Sequence, residues 1–211
     1  SGQGAGPTGV PWVDSNGWSI RLTSARAPES PVWVEFEPKS NAYRMAIADC
    51  AAHGGRWIIA LQDRLAAAIA SKEPAALTAW KDLTATAAFF AAHKEWAGYP
   101  AEAVMAVVSD FGGANEFFSG ELLNLLARAG QHYRICFKSK PVALAGLRAA
   151  VYADQDPPSP SLRKQLLDFV QAGGLLITAP KWGALPAGPA GRDEHPRFNV
   201  LGHGKGRIAI A

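Results

Sequence analysis

Asp168-Phe169-Val170-Gln171-Ala172-Gly173-Gly174-Leu175-Leu176-Ile177-Thr178-Ala179-Pro180 is the stretch that decides the fold. A helical pattern stops at two glycines and feeds at once into an apolar strand, which is how a parallel α/β sheet is wound. The same junction occurs earlier, where Gly54-Gly55 precedes Arg56-Trp57-Ile58-Ile59. One winding rule therefore spans both halves, and it predicts an α/β protein with a mainly parallel sheet flanked by helices, drawn together as one continuous body. Outward from the later junction, strands are predicted over residues 104–109, 133–138, 148–154 and 175–179, with helices over 115–129 and 161–172. The chain closes on a predicted antiparallel hairpin, 198–201 against 207–210, across Gly202-His203-Gly204-Lys205-Gly206.

The first half repeats strand, polar turn and helix. Strands are expected over 10–13, 32–37 and 56–61. The first helix follows the capping cluster Asp14-Ser15-Asn16-Gly17 and runs from about Trp18 until Pro28, and the second runs from a Ser40 or Asn41 cap through Met45 and Ile47. Residues 62–98 read as two helices parted at Lys72-Glu73-Pro74, the second carrying Leu77, Trp80, Leu83, Ala87 and Phe90 at core spacing. Tyr99-Pro100 closes this half and puts a boundary near residue 100. Three strand-helix units in 1–100 and a second set ending in the hairpin in 101–211 are the expected organisation.

Composition narrows the function classes. Of 211 residues, 48% are hydrophobic, which suits a globular core, and 21 basic against 18 acidic residues form no stripe that would grip a phosphate backbone. Nucleic acid is therefore not an expected partner. The Ala-rich stretch 66–92 is broken by Lys72, Glu73, Lys81 and Asp82, so no segment approaches the roughly 20 apolar residues that cross a bilayer, and no membrane partner is expected. Cys50 and Cys136 lie far apart and offer neither a redox pair nor a zinc knuckle. The five histidines show no ligand spacing, and neither a metal nor a cofactor is predicted. The opening Ser1-Gly2-Gln3-Gly4-Ala5-Gly6 reads either as a cloning scar or as the flexible start of a mature chain from which a signal peptide was removed, and a secreted or periplasmic location is slightly favoured over a cytoplasmic one.

Several stretches of the second half carry a family likeness. They are Val107-Val108-Ser109-Asp110, Leu147-Arg148-Ala149-Ala150-Val151-Tyr152-Ala153-Asp154, Leu166-Leu167-Asp168 through Thr178, and Gly204-Lys205-Gly206-Arg207-Ile208. In that order they resemble the class I glutamine amidotransferase-like domain of the version attached to β-galactosidases and other glycoside hydrolases. The resemblance implies a flavodoxin-like or amidotransferase-like second half. The cysteine turn of such domains matches Gln155-Asp156-Pro157-Pro158 here, which has no thiol, so amidotransferase chemistry is not expected. Such a domain without its nucleophile implies packing or oligomerisation, and a homo-oligomer is one expected state. The first half is loosely similar to part of a glycoside-hydrolase (β/α) barrel, on Thr8-Gly9-Val10-Pro11-Trp12-Val13-Asp14-Ser15-Asn16-Gly17-Trp18 and on polar strand ends. A small or incomplete (β/α) barrel is thus the alternative fold.

Chemistry in parallel α/β proteins sits at the carboxyl ends of the strands. Those ends present Asp14, Glu35, Glu37, Asp110 and Asp154 as candidate catalytic carboxylates, and Asn16, Trp12, Trp33 and Trp182 as candidate substrate-binding residues. Glycosidic cleavage needs two carboxylates about 5 to 9 Å apart, one of them kept protonated. Glu35 and Glu37 share one strand face at roughly 6 to 7 Å by the two-residue repeat. The same acidic residues are also ordinary helix caps and turn formers, and tryptophan in an α/β protein is commonly core. Two readings follow: carbohydrate binding or hydrolysis at the strand-end edge, or a non-catalytic structural module that assembles into oligomers.

Overall fold

The computed structural model describes residues 15–36, 42–99, 102–184 and 193–211. The chain divides into two compact units, Ser1–Pro100 and Ala101–Ala211.

In the first unit, α1 (Gly17–Arg26) leads to β1 (Val32–Glu35), α2 (Tyr43–Ala52) to β2 (Gly55–Ile58), and α3 (Asp63–Ala70) is followed by α4 (Pro74–Ala92). β1 and β2 pair in parallel with Val32 opposite Gly55 and Glu35 opposite Ile58. Alternation is clean: Val32, Gly55 and Trp57 are buried, whereas Trp33, Glu35, Arg56 and Ile58 are exposed. The core gathers Ile20, Val32, Tyr43, Ile47, Cys50, Trp57 and Leu83. Trp57 organises it, stacking on Tyr43 with ring centroids 5.7 Å apart and donating its indole N–H to Phe36 O at 3.1 Å. Gly54 ends α2 at φ +82°, a conformation that favours glycine.

Several expectations change here. Asn16 precedes α1 but does not cap it through its side chain. The predicted strand 10–13 and the expected caps Ser40 and Asn41 lie outside the described residues, and α2 begins after Ala42 with no side-chain cap. On α4 the core reading holds for Leu83, Ala87 and Phe90, but Leu77 and Trp80 are exposed. Two paired strands cannot cover every apolar position along a helix of 19 residues.

In the second unit, β3 (Met105–Ser109) is followed by a short 3₁₀ turn (Gly113–Asn115) and α5 (Glu116–Arg128), then β4 (Tyr133–Phe137) and β5 (Ala149–Tyr152). Next come α6 (Pro160–Gln171), β6 (Leu175–Thr178), β7 (Asp193–Glu194), β8 (Asn199–His203) and β9 (Gly206–Ile210). The sheet order is β4-β3-β5-β6-β9-β8-β7, parallel from β4 through β9 and antiparallel beyond. β3 lies between β4 and β5, and Ala106, Val107 and Val108 are fully buried, so both its faces are covered as a parallel strand requires. α6 starts at Ser159, whose hydroxyl accepts from Leu162 N at 3.3 Å, and it turns Leu162, Leu166 and Val170 onto Ala150, Tyr152, Leu176 and Ile208. Burying each such side chain contributes about 1.5–3 kcal/mol.

The closing hairpin is antiparallel as expected, but β9 also pairs in parallel with β6 and so extends the main sheet. β7, a strand not predicted, pairs with β8. Mainly parallel α/β architecture flanked by helices is the fold observed. One continuous sheet is not: among the described residues β1 and β2 form their own sheet, separate from the seven-stranded one. The Gly-Gly junction ends a helix and starts a strand, and it carries no information about which strand becomes the neighbour.

Candidate functional site at strand ends of the second unit

The order β4-β3-β5 sets three strand ends side by side. β3 ends at Ser109 and Asp110, β4 is followed by Lys138, and β5 by Ala153 and Asp154. Lys138 Nζ sits 2.7 Å from Asp110 Oδ2 and 2.6 Å from Asp154 Oδ2. The Asp154 side chain is 0% exposed, that of Asp110 37% and that of Lys138 29%. The buried Ser109 hydroxyl donates to Asp154 Oδ1 and accepts from Phe111 N at 2.9 Å. Phe111 itself adopts φ 53°, which turns the chain sharply at the strand end. Asp110 accepts from Gly112 N at 3.1 Å and from Asn115 Nδ2 at 3.2 Å, and Asn115 Oδ1 in turn accepts from Gln155 N at 3.1 Å.

Electrostatics follow from this geometry. Burial pulls the Asp110 carboxyl upward, but the hydrogen bonds from Lys138, Gly112 and Asn115 and the charge of Lys138 outweigh it, leaving the carboxyl below its ordinary range. Burial pulls Lys138 downward, yet its hydrogen bonds to Asp110 and Asp154 and their charges hold it above the ordinary lysine value. The Tyr152 phenol is pushed up to about 12 by burial and by the charge of Asp154. A glycosidic general acid needs a carboxyl raised toward neutrality, and a nucleophilic lysine needs an ammonium lowered toward it. Both shifts here run the other way. The cluster is a charge-neutralising clamp across three strand ends.

The other predicted residues scatter. Asp14, Trp12 and Glu37 lie outside the described residues. Glu35 is exposed at the end of β1, in the first unit. Trp33 is exposed with the Arg56 guanidinium 5.4 Å from its ring centre. Asn16 donates through Nδ2 to Asp49 Oδ2 at 3.3 Å. Trp182 is a core residue, 2% exposed, its ring met edge-on by Tyr152 and covered by the Arg163 guanidinium at 5.0 Å, which leaves no face for a sugar. Burial pushes the Cys50 thiol up to about 12 and raises that of Cys136, and the turn after β5 carries no thiol at all. Lys138 is the residue that sequence reasoning missed. Its signal was present, a lysine directly after an apolar strand, but strand order was needed to set it between two carboxylates.

No family model matches the chain, and no curated protein is similar to it. Among solved structures it is similar to a β-galactosidase from Rahnella sp. R3, with a TM-score of 0.55 at 11% identity over 93% of this chain and 44% of that one. It is also similar to the exo-β-1,4-mannosidase Op5Man5 from Opitutaceae bacterium strain TAV5, with a TM-score of 0.58 at 13% identity over 92% of this chain and 49% of that one. At such identities the likeness is one of fold alone, shared with these two glycoside hydrolases. The chain spans less than half the length of either structure.

Proposed function

We propose that the chain is a glycoside-hydrolase-related polypeptide whose second unit is a non-catalytic, amidotransferase-like module for packing and oligomerisation. The observation that carries this reading is the clamp: Asp110 and Asp154 are both spent on Lys138, and Asp154 is wholly buried. The Asp110 carboxyl, held below its ordinary range, is unsuited to be the protonated acid of a hydrolytic pair.

Carbohydrate chemistry, in this reading, belongs to the first unit. β1 and β2 turn one face toward helices α1, α2 and α4, and the opposite face carries Trp33, Glu35, Arg56 and Ile58 in register. In a (β/α) barrel that opposite face lines the interior, and an acid at the carboxyl end of a strand meets the substrate there. Glu35, with Glu37, Asp14, Trp12 and Trp33 as companions, is the proposed catalytic or sugar-binding edge. β1 and β2 alone cannot close a barrel, which accords with the larger size of the two similar glycosidases.

Hydrolysis of p-nitrophenyl β-galactoside and β-mannoside by the chain, by Glu35→Gln and by Asp110→Asn tests the assignment. Turnover that Glu35→Gln abolishes and Asp110→Asn preserves supports it, and loss confined to Asp110→Asn overturns it. Light scattering across a concentration series tests the module: a multimer is expected, and a monomer throughout counts against the assembly role.

A further inference from the structure

The Gly-Lys-Gly turn of the closing hairpin belongs to a second feature, on the far side of the sheet from α6. Register places Ala149 and Val151 of β5, Leu175 and Ile177 of β6, Arg207 and Ala209 of β9, and Gly202 and Val200 of β8 on one face. The opposite face, with Ala150, Leu176 and Ile208, is buried under α6. Parallel sheets are normally covered on both sides. Here Val151, Leu175, Ile177 and Val200 are only half-buried, and a cavity of about 670 Å³ opens over the strip that Leu175, Ile177, Val200 and Ala209 make. That volume is in the range of small-molecule sites.

The cavity combines an apolar floor with a cationic rim. Arg148, Lys205, Arg207 and His195 line it beside Phe198. Backbone bonds fix the positions of the cations: Leu175 N donates to Arg148 O at 3.0 Å, Arg207 N to Gly174 O at 3.1 Å and Lys205 N to Gln171 O at 3.1 Å. The hairpin approaches so closely that a Cβ on Gly206 would lie 2.2 Å from both Gly174 O and Val170 O. Because the Lys205 and Arg207 amides are already engaged, the turn is no amide cradle, and side chains must supply the recognition. His195 accepts at Nδ1 from Arg197 N at 3.2 Å, which places the proton of its neutral ring on Nε2 as a donor. The second unit also carries the surplus of charge, with 12 of the 21 basic but 9 of the 18 acidic residues.

We propose that this cavity binds a small ring-bearing anion, its ring on the strip beside Phe198 and its carboxylate or phosphate against Arg148 and Lys205. The chemistry fits a sugar acid or a nucleotide. It stands apart from the assignment of Glu35, so either can fail alone.

Calorimetric titration of the full chain with digalacturonate and with adenosine monophosphate tests the inference, with lactose and inorganic phosphate as controls. At least one ring-bearing anion is expected to bind, more weakly as salt rises, and to lose about tenfold or more in affinity in Arg148→Gln/Lys205→Gln. Phe198→Ala is expected to weaken it too, whereas Asp110→Asn leaves it unchanged. Which of the two anions binds identifies the source. Absence of binding by both, binding equal in the double variant, or inorganic phosphate binding as tightly overturns the inference. So does self-association that the double variant abolishes, since a second copy would then occupy the face. Far-ultraviolet circular dichroism confirms that the variants remain folded.

Discussion

Two helix–Gly-Gly–strand junctions, one in each unit, open strands with opposite fates. After Gly54-Gly55, β2 pairs with β1 alone among the described residues, and Ile58 and Ile59 stay exposed. After Gly173-Gly174, β6 is flanked by β5 and β9 and covered by α6, and Leu176 disappears into the core. The local signal is the same in both. Burial comes from the number of strands and helices that assemble around it, so an apolar strand in a parallel sheet is only as buried as its neighbours make it.

The sharpest way to break this contrast is to attack the clamp that ties three strand ends of the second unit. Lys138→Met leaves Asp154 buried without its cation, at a cost of about 3 kcal/mol. Urea unfolding is expected to show that loss in the second unit's transition, and an unchanged midpoint would remove the clamp from the account of its stability.

Next in size is Gly206→Ala, where the added carbon collides with two backbone oxygens rather than with a yielding side chain. A destabilisation of about 2 kcal/mol is expected, read as a lower thermal midpoint. A neutral result would show that the hairpin can move away from Gly174.

A smaller effect comes from acid. The Asp110 carboxyl is held below its ordinary value of 3.8, so the folded chain binds this proton less readily than the unfolded one. Its contribution is complete above pH 3.8 and is lost as pH falls below that through the folded value. Solvent reaches this side chain, so the contribution is no more than about 1 kcal/mol. Asp110→Asn is expected to flatten the pH dependence of stability below pH 4, and a profile identical to the unaltered chain would exclude the group.

The smallest effect on stability belongs to the first unit. Trp33→Thr with Ile58→Thr changes exposed positions and is expected to shift unfolding by no more than about 0.5 kcal/mol per site. The same pair is expected to reduce self-association measured by light scattering if that face seeks a partner. A large loss of stability would mean that the face is already covered.

The strands around the core were legible because apolar runs bounded by glycine, proline and aspartate need only local information. Val107-Val108-Ser109-Asp110 and Leu175-Leu176-Ile177-Thr178 announce their type and their ends. β7 was missed because two polar residues, Asp193-Glu194, carry no strand pattern and pair only because β8 offers an edge. Trp182 looked like a sugar platform from its place after β6, but Tyr152 and Arg163 enclose it, and both come from other elements. Asp110 and Asp154 were legible as strand-end acids. Their chemistry was not, because what governs it is the lysine they share.

The sequence by itself determined the alternation of helices and strands, the winding at both Gly-Gly junctions, the closing hairpin and the lack of a thiol after β5. Each depends on neighbours a few residues apart, within reach of backbone geometry and side-chain periodicity. Tertiary structure alone decided that the described strands divide into two sheets, that Lys138 stands between Asp110 and Asp154, and that cations from β9 and from just before β5 rim one cavity. Those juxtapositions join residues distant along the chain, and only strand order brings them together.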